Sequence, residues 1–287
     1  MTAKLIDGTA IAGHLYSQLK QRVSALKKLG VQPGLAAVLL GDDPASRIYV
    51  RNKVRACAET GLHSEVHTFG SDCAEEVLRA TIDRLNRDPR IHGLIVQLPL
   101  PAHLDALPIL QTVASGKDID GFGWHNLGAL LAGHPQFVPC TPLGVMAMLD
   151  HAGIALEGRH AVVVGRSVSV GKPLALLLMA RGATVTICHS KTQSLARHTS
   201  SADVLVAAVG RPRLITADMV RHGAAVIDVG INRLPDGKLV GDVDFAGVSE
   251  VAGCITPVPG GVGRMTVAML IANTVASAER LAAGTTA

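Results

Sequence analysis

Four short apolar runs in the second half of the chain leave little choice of fold. AVVVG (161–165), ATVTIC (183–188), DVLVAAVG (203–210) and AAVIDVG (224–230) each have the length of a strand. Between them lie helical patterns such as PLALLLMA (173–180). Strands that alternate with helices predict a doubly wound parallel sheet, whose central strands are buried on both faces. KLVGDVDF (238–245), after a PDG turn, reads as a further strand. Aromatic residues make up only 2% of the 287, so the core must be built from Val, Leu, Ile and Ala. Hydrophobic residues reach 48%, enough for a large core.

The first half is βαβ-like. Ile11, Leu15, Leu19, Val23 and Leu26 stand at helical spacing over 9–28, with Gly30 as the stop. LAAVLLG (35–41) is a buried strand. A helix capped by Ser46 runs to about Thr60, with Gly61 beyond it. A strand over 66–69 and a helix with Val77, Ile82 and Leu85 on one face follow. GLIVQLPLP (93–101) is a strand stopped by prolines. Residues 99–142 are rich in Pro and Gly and read as loops, short helices and a domain connection. The apolar helix 265–281 is expected to pack against another domain or a partner subunit.

Several function classes are disfavoured. The net charge of +4 comes from scattered residues with no interleaved aromatic platform, so nucleic acid is not an expected partner. A small anionic ligand suits that charge. Five cysteines without CxxC spacing predict reduced thiols. None of the twelve histidines forms HExxH; His63 and His67 are expected on a strand surface, and no metal is expected. No apolar run approaches the ~18 residues of a membrane span. Asp7 interrupts any signal-like stretch. A soluble, cytoplasmic protein is the expectation.

VVVGRSVSVGKP (162–173) is a strand, a glycine-bearing turn and a helix start. Gly165 allows the tight turn. Ser167 stands where the dinucleotide fingerprint usually has its second glycine, and Gly171 follows. Backbone N–H groups at such a helix start face a pyrophosphate, to which Ser167 can add a hydroxyl. The next strand ends in Cys188-His189-Ser190-Lys191-Thr192, without the acidic residue that holds the ribose diol of NAD. With Arg166 nearby, these groups suit a 2′-phosphate and predict NADP. ITPVPGGVGRMT (255–266) lets backbone approach a flat ligand closely, or is a hinge.

In the first half, YVRNK (49–53) places Tyr49 and Lys53 on one helix face. Gln97 ends a buried strand, where open α/β sheets bind ligands. Asp120 lies in the turn-rich KDIDGF (117–122). Taken singly, each also fits an ordinary role: a snorkelling Lys, a surface Tyr, a satisfied Gln, a capping Asp.

Taken together, GDDPASRIYVRNK (41–53), GLIVQLPLP, KDIDGF, PCTPLG (139–144), VVVGRSVSVGKP, CHSKT, AAVGRP, VIDVGINR, GDVDF and ITPVPGGVG span nearly the whole chain. In that order they resemble the bifunctional methylenetetrahydrofolate dehydrogenase/cyclohydrolase family. The resemblance implies an N-terminal α/β folate domain over 1–140, joined by a returning helix over 265–287. It implies a Rossmann-type NADP-binding domain over 141–264, a cleft between the two, and a homodimer. It implies oxidation of 5,10-methylenetetrahydrofolate with NADP, then hydrolysis of the methenyl product to 10-formyltetrahydrofolate.

The roles it implies make physical sense. Lys53 handles protons during water attack, Gln97 orients Lys53, Tyr49 stacks on the aminobenzoate ring and Asp120 accepts from the pterin. Ser46, Leu98, Pro99, Val258, Pro259 and Gly260 join Tyr49, Gln97 and Asp120 as substrate-binding residues. Gly165, Arg166, Ser167, Gly171, His189, Ser190, Thr192, Gly210 and Ile231 are the cofactor-binding set. Two departures stand out. The family commonly has His-Pro after DGF and Pro after GGVG, where this chain has Gly123-Trp124 and Arg264. They leave open a monofunctional dehydrogenase or a folate- and NADP-binding protein without catalysis.

Overall fold

The structure is a computed structural model and describes residues 2–284. Among these, 14–140 with 267–284 form one compact unit, and 2–13 with 141–266 form another. The chain opens with strand β1 (Lys4–Leu5) and helix α1 (Gly8–Lys28), followed by β2 (Gly34–Leu40), α2 (Pro44–Thr60), β3 (His63–Phe69), α3 (Glu75–Arg87) and β4 (Gly93–Val96).

In the first unit, β2 is the centre of a parallel three-stranded sheet in the order β3-β2-β4. Every residue of β2 is buried, as its unbroken apolar run requires. Helix α2 starts at Pro44 and is capped by Asp43, whose Oδ2 accepts from Ser46 N at 2.7 Å. Ser46 is therefore in the first turn and is not the cap expected from sequence. Gly61 ends the helix at φ 80°, the left-handed conformation that glycine adopts freely. In α3 the buried face is Leu78, Ile82 and Leu85, while Val77 is exposed. Each of those three side chains contributes roughly 1.5–3 kcal/mol by leaving water. Strand β4 is shorter than its apolar run suggested and ends before Gln97. His63 and His67 lie within β3, both hydrogen-bonded to the carboxylate of Glu65.

The last helix, Val262–Ala282, adds its C-terminal part to this unit. Its polar side chains fix the register. Asn273 Nδ2 donates to Ile119 O at 2.8 Å and to Val138 O at 3.2 Å. Ser277 Oγ donates to Gly116 O at 2.9 Å, and Arg22 grips Glu279 through two bonds of 2.8 and 2.6 Å.

The second unit holds β5 (His160–Val164), β6 (Thr184–Cys188), β7 (Val204–Ala207), β8 (Ala225–Asp228), β9 (Asn232–Arg233), β10 (Leu239–Val240) and β11 (Cys254–Ile255). Its six-stranded sheet runs β1-β11-β8-β7-β5-β6, every pair parallel. The two-residue strands β1 and β11 are too short to leave a sequence signal. KLVGDVDF does not supply a strand of this sheet. Leu239–Val240 pairs antiparallel with β9 in a separate ribbon, Val243 forms an isolated parallel bridge with Ile215, and Phe245 begins a helix. The reason lies in Asp242, whose side chain is fully buried and turned to polar duties.

Candidate active site and nucleotide site

In the first unit, the face of α2 that carries Ser46, Tyr49 and Lys53 lies beside the end of β4. Lys53 Nζ donates to Gln97 Oε1 at 3.1 Å, and Gln97 Nε2 donates to Leu98 O at 2.7 Å. Both ends of the Gln97 amide are thereby engaged, which fixes its orientation. Ser46, 3% exposed, reaches the same Leu98 carbonyl at 3.4 Å. Leu98–Pro99 is a cis peptide bond, with Pro99 exposed. The ring of Tyr49 is exposed and open to a planar ligand.

Asp120 reaches this neighbourhood because a parallel bridge pairs Asp118 with Leu94 beside β4. Burial pushes the Asp120 carboxyl up from the ordinary carboxylate range, and the Lys53 ammonium opposes that rise. Cys140 Sγ lies 3.3 Å from Ile119 O and 4.0 Å from Asp120 Oδ1. Its thiol is held well above the usual range, first by burial and then by Asp120, and so stays a neutral donor. An amine held by an amide beside a half-buried carboxylate can move a proton and recognise a ligand N–H.

Gly123 tests the first departure from the family pattern. Its N–H donates to Asp118 Oδ2 at 2.7 Å, and a Cβ there would stand 2.9 Å from that oxygen. A side chain at 123 would therefore displace Asp118. Trp124 is 64% exposed at the start of the helix Trp124–Leu131.

In the second unit, Gly165 ends β5 and the chain then builds β6 on one side of β5 and β7 on the other. This is the switch point of a doubly wound sheet, where nucleotides bind beyond the strand ends. The packing there admits only glycine. A Cβ at Gly165 would lie 2.2 Å from Ala208 O, and one at Gly171 would lie 2.1 Å from Gly165 O. Ser167 Oγ accepts from Val170 N at 3.1 Å and Gly171 N at 3.3 Å, so it holds the turn ahead of the helix Gly171–Ala180 and keeps its own proton to donate.

After β6, His189 N donates to Thr192 Oγ1 at 2.9 Å, and Lys191 N donates to His189 Nδ1 at 3.1 Å. This turn presents Ser190 and Lys191 to solvent, as Arg166 is presented from the preceding turn. Gly210 and Ile231 are exposed beyond β7 and β8. Val258, Pro259 and Gly260 belong to this unit too, and Gly260 O accepts from Thr9 N at 3.0 Å. Arg264 follows, exposed, with its N–H donating to Gly261 O at 3.1 Å. The cradle of Gly165 and Gly171, with no acid after β6, fits a phosphorylated dinucleotide.

Sequence reasoning missed Cys140, Asn273, Asp228 and Asp242. Asn273 had a signal: an amide inside an otherwise apolar helix needs partners when buried. Among the described residues, no group of three or more His, Cys, Asp and Glu converges as metal ligands would. Nor, among the described residues, is any helix long and apolar enough to cross a membrane.

Comparison with known proteins gives a consistent result. The family model "Tetrahydrofolate dehydrogenase/cyclohydrolase, catalytic domain" matches residues 6–120, and its "NAD(P)-binding domain" counterpart matches 139–282. The bifunctional protein FolD of Bordetella avium is 59% identical over 280 residues, covering 98% of this chain and 99% of that protein. FolD of Paraburkholderia xenovorans is 60% identical over 283 residues, covering 99% of each. The crystal structure of the bifunctional enzyme FolD from Campylobacter jejuni matches with a TM-score of 0.96 at 47% identity, covering 97% of this chain and 99% of that one. FolD of Trypanosoma brucei, solved with NADP cofactor and inhibitor, matches with a TM-score of 0.94 at 37% identity, covering 98% and 99%.

Proposed function

The chain belongs to the tetrahydrofolate dehydrogenase/cyclohydrolase family, and on that premise we propose that it oxidises 5,10-methylenetetrahydrofolate with NADP and hydrolyses the product to 10-formyltetrahydrofolate. The observation that carries the second activity is the bond of 3.1 Å between Lys53 and Gln97. When bound, NADP accepts the hydride that leaves the methylene carbon. The folate product is then a methenyl cation.

Water adds to that carbon, one proton is released and the ring opens. Lys53 takes the proton. The free amine of Lys53 is the base for this step. Gln97 Oε1 aims the amine, and Gln97 Nε2, donating to Leu98 O, holds the amide still. Asp120 accepts from the pterin N–H groups, and Tyr49 covers the aminobenzoate ring. Leu98, Pro99 and Ser46 bind the substrate in this unit, and Val258, Pro259 and Gly260 are further substrate-binding candidates. Gly165, Arg166, Ser167, Gly171, His189, Ser190, Thr192, Gly210 and Ile231 hold the dinucleotide. Arg166, Ser190 and Lys191 suit the 2′-phosphate.

The edge strand β6 has a sheet neighbour on one side only and exposes Ile187, with Met179 exposed nearby in the chain. That edge supports a homodimer through the nucleotide unit, which sedimentation tests. The five cysteines are free thiols, which supports a reducing, cytoplasmic location.

The deciding assay mixes the protein with 5,10-methylenetetrahydrofolate and either NADP or NAD and follows absorbance. Reduced cofactor formed with NADP, without lasting methenyl build-up, supports both activities. Methenyl build-up that decays only at its spontaneous rate indicates a dehydrogenase alone. No turnover from folded protein indicates a binding protein and directs reversion to Trp124 and Arg264.

A further inference from the structure

We infer that Asp242 is a positioning residue for the nucleotide site: its buried carboxylate ties the loop after β7 to the start of β9, next to Ile231, and fixes the shape that receives NADP. The inference rests on the proposed reading of that site.

Asp242 is 0% exposed. Its Oδ2 accepts from Val209 N at 2.6 Å and Gly210 N at 3.0 Å, and its Oδ1 accepts from Arg211 N at 2.8 Å and Asn232 Nδ2 at 2.9 Å. A carboxylate offers about four acceptor sites, so this one is fully used. Three donors come from the loop after β7 and the fourth from Asn232, next to Ile231. The N–H of Gly210 is consumed, so that loop offers a ligand its shape and not this donor.

A second carboxylate holds the first. Asp228 Oδ1 accepts from Gly230 N and from Asp242 N, each at 2.9 Å, and Asp228 Oδ2 accepts from Val243 N at 2.9 Å. Space has been kept for both. A Cβ at Gly230 would stand 2.3 Å from Asp242 Oδ1, and one at Gly241 would stand 1.7 Å from Asp228 Oδ2.

Two adjacent buried carboxylates are a costly way to join loops, because each loses its hydration. The sheet itself does not need them, since β7 and β8 pair through their backbones. What the pair adds is order at the strand ends, where an α/β sheet receives its ligand. A carboxylate that takes N–H groups from two segments makes their geometry independent of the ligand.

Asp242→Asn keeps the size of the side chain but turns an NH2 toward N–H donors. The expected result is a rise of about tenfold in the KM for NADP and in the Kd for NADPH read by fluorescence. Hydrolysis of added methenyltetrahydrofolate without NADP stays within about twofold, because Lys53, Gln97 and Asp120 belong to the other unit. Asn232→Ala removes a single donor and shifts the same constants by about threefold, which keeps the test valid if the first variant does not fold. Unchanged NADPH affinity in the folded variants overturns the inference. So does an equal fall of both activities alongside a lowered Tm, which marks a structural role only. A wild-type protein that binds no NADPH overturns the nucleotide reading itself, and that is seen before any variant is made.

Discussion

Asn273 donates to the carbonyl of Ile119 at 2.8 Å, the residue immediately before Asp120. The same NH2 group reaches Val138 O at 3.2 Å and lies 3.7 Å from Cys140 Sγ. One buried amide on the last helix thus joins the two segments that set the Asp120 carboxylate. Asn273→Ala leaves Val138 O short of a donor, while Ile119 O keeps the Cys140 thiol. We expect a loss of about 1–3 kcal/mol in urea unfolding, together with a raised KM for the folate. A variant with unchanged stability and KM would remove Asn273 from the account.

Glycine at 165 carries a separate prediction. Gly165 has φ 132°, and its Cβ would meet Ala208 O at 2.2 Å. Gly158 also has a positive φ, of 71°, but a Cβ there meets nothing within 4 Å. Gly158→Ala should cost only the left-handed backbone strain, ~1–2 kcal/mol, and keep its NADP-induced rise in Tm. Gly165→Ala should lose that rise, since the β5 and β7 ends must part. Equal NADP-induced shifts in the two variants would contradict a cradle at the switch point.

Asp118 gives a pH signature. Burial pushes its carboxyl up to about 6 from 3.8, against the bonds from Asn126 and Gly123 that favour ionisation. The folded form therefore binds this proton more tightly than the unfolded chain. Its contribution to stability is full below the unfolded value of 3.8 and is lost as pH rises through about 6. Asp228, also pushed up to about 6 by burial, acts in the same sense. Asp88, held down to about 2 chiefly by Arg90, acts oppositely at lower pH. The difference between Asp118→Asn and wild type isolates one group. Its Tm deficit should shrink between pH 4 and 7 by the equivalent of ~1–3 kcal/mol. A deficit that does not vary with pH would show that folding does not shift the Asp118 carboxyl.

The strand and helix pattern was legible because apolar runs and glycine stops report it directly. The pairing of Lys53 with Gln97 was legible only through the joint motif, since spacing alone merely permits it. Other features hid for physical reasons. Asp43 and Ser46 are both good cap residues three apart, and the choice of Asp43 depends on where the chain leaves β2. Val77 and Leu78 are both apolar, so the buried face of a 13-residue helix was ambiguous by one position. KLVGDVDF alternates like a strand, yet its Asp242 is a buried hub that takes three donors from the distant loop after β7 and a fourth from Asn232. No local pattern encodes such a hub. The glycines at 230 and 241 are its only trace in the sequence.

The most direct test of two chemistries on one chain is Lys53→Met, with both activities measured on one preparation. Gln97 Oε1 then loses its donor, and the amine proposed to take the proton from water is gone. The account predicts a cyclohydrolase rate lower by about 100-fold or more, with NADP-dependent oxidation of 5,10-methylenetetrahydrofolate falling far less. Equal loss of both activities in a folded variant would contradict the assignment of proton handling to Lys53.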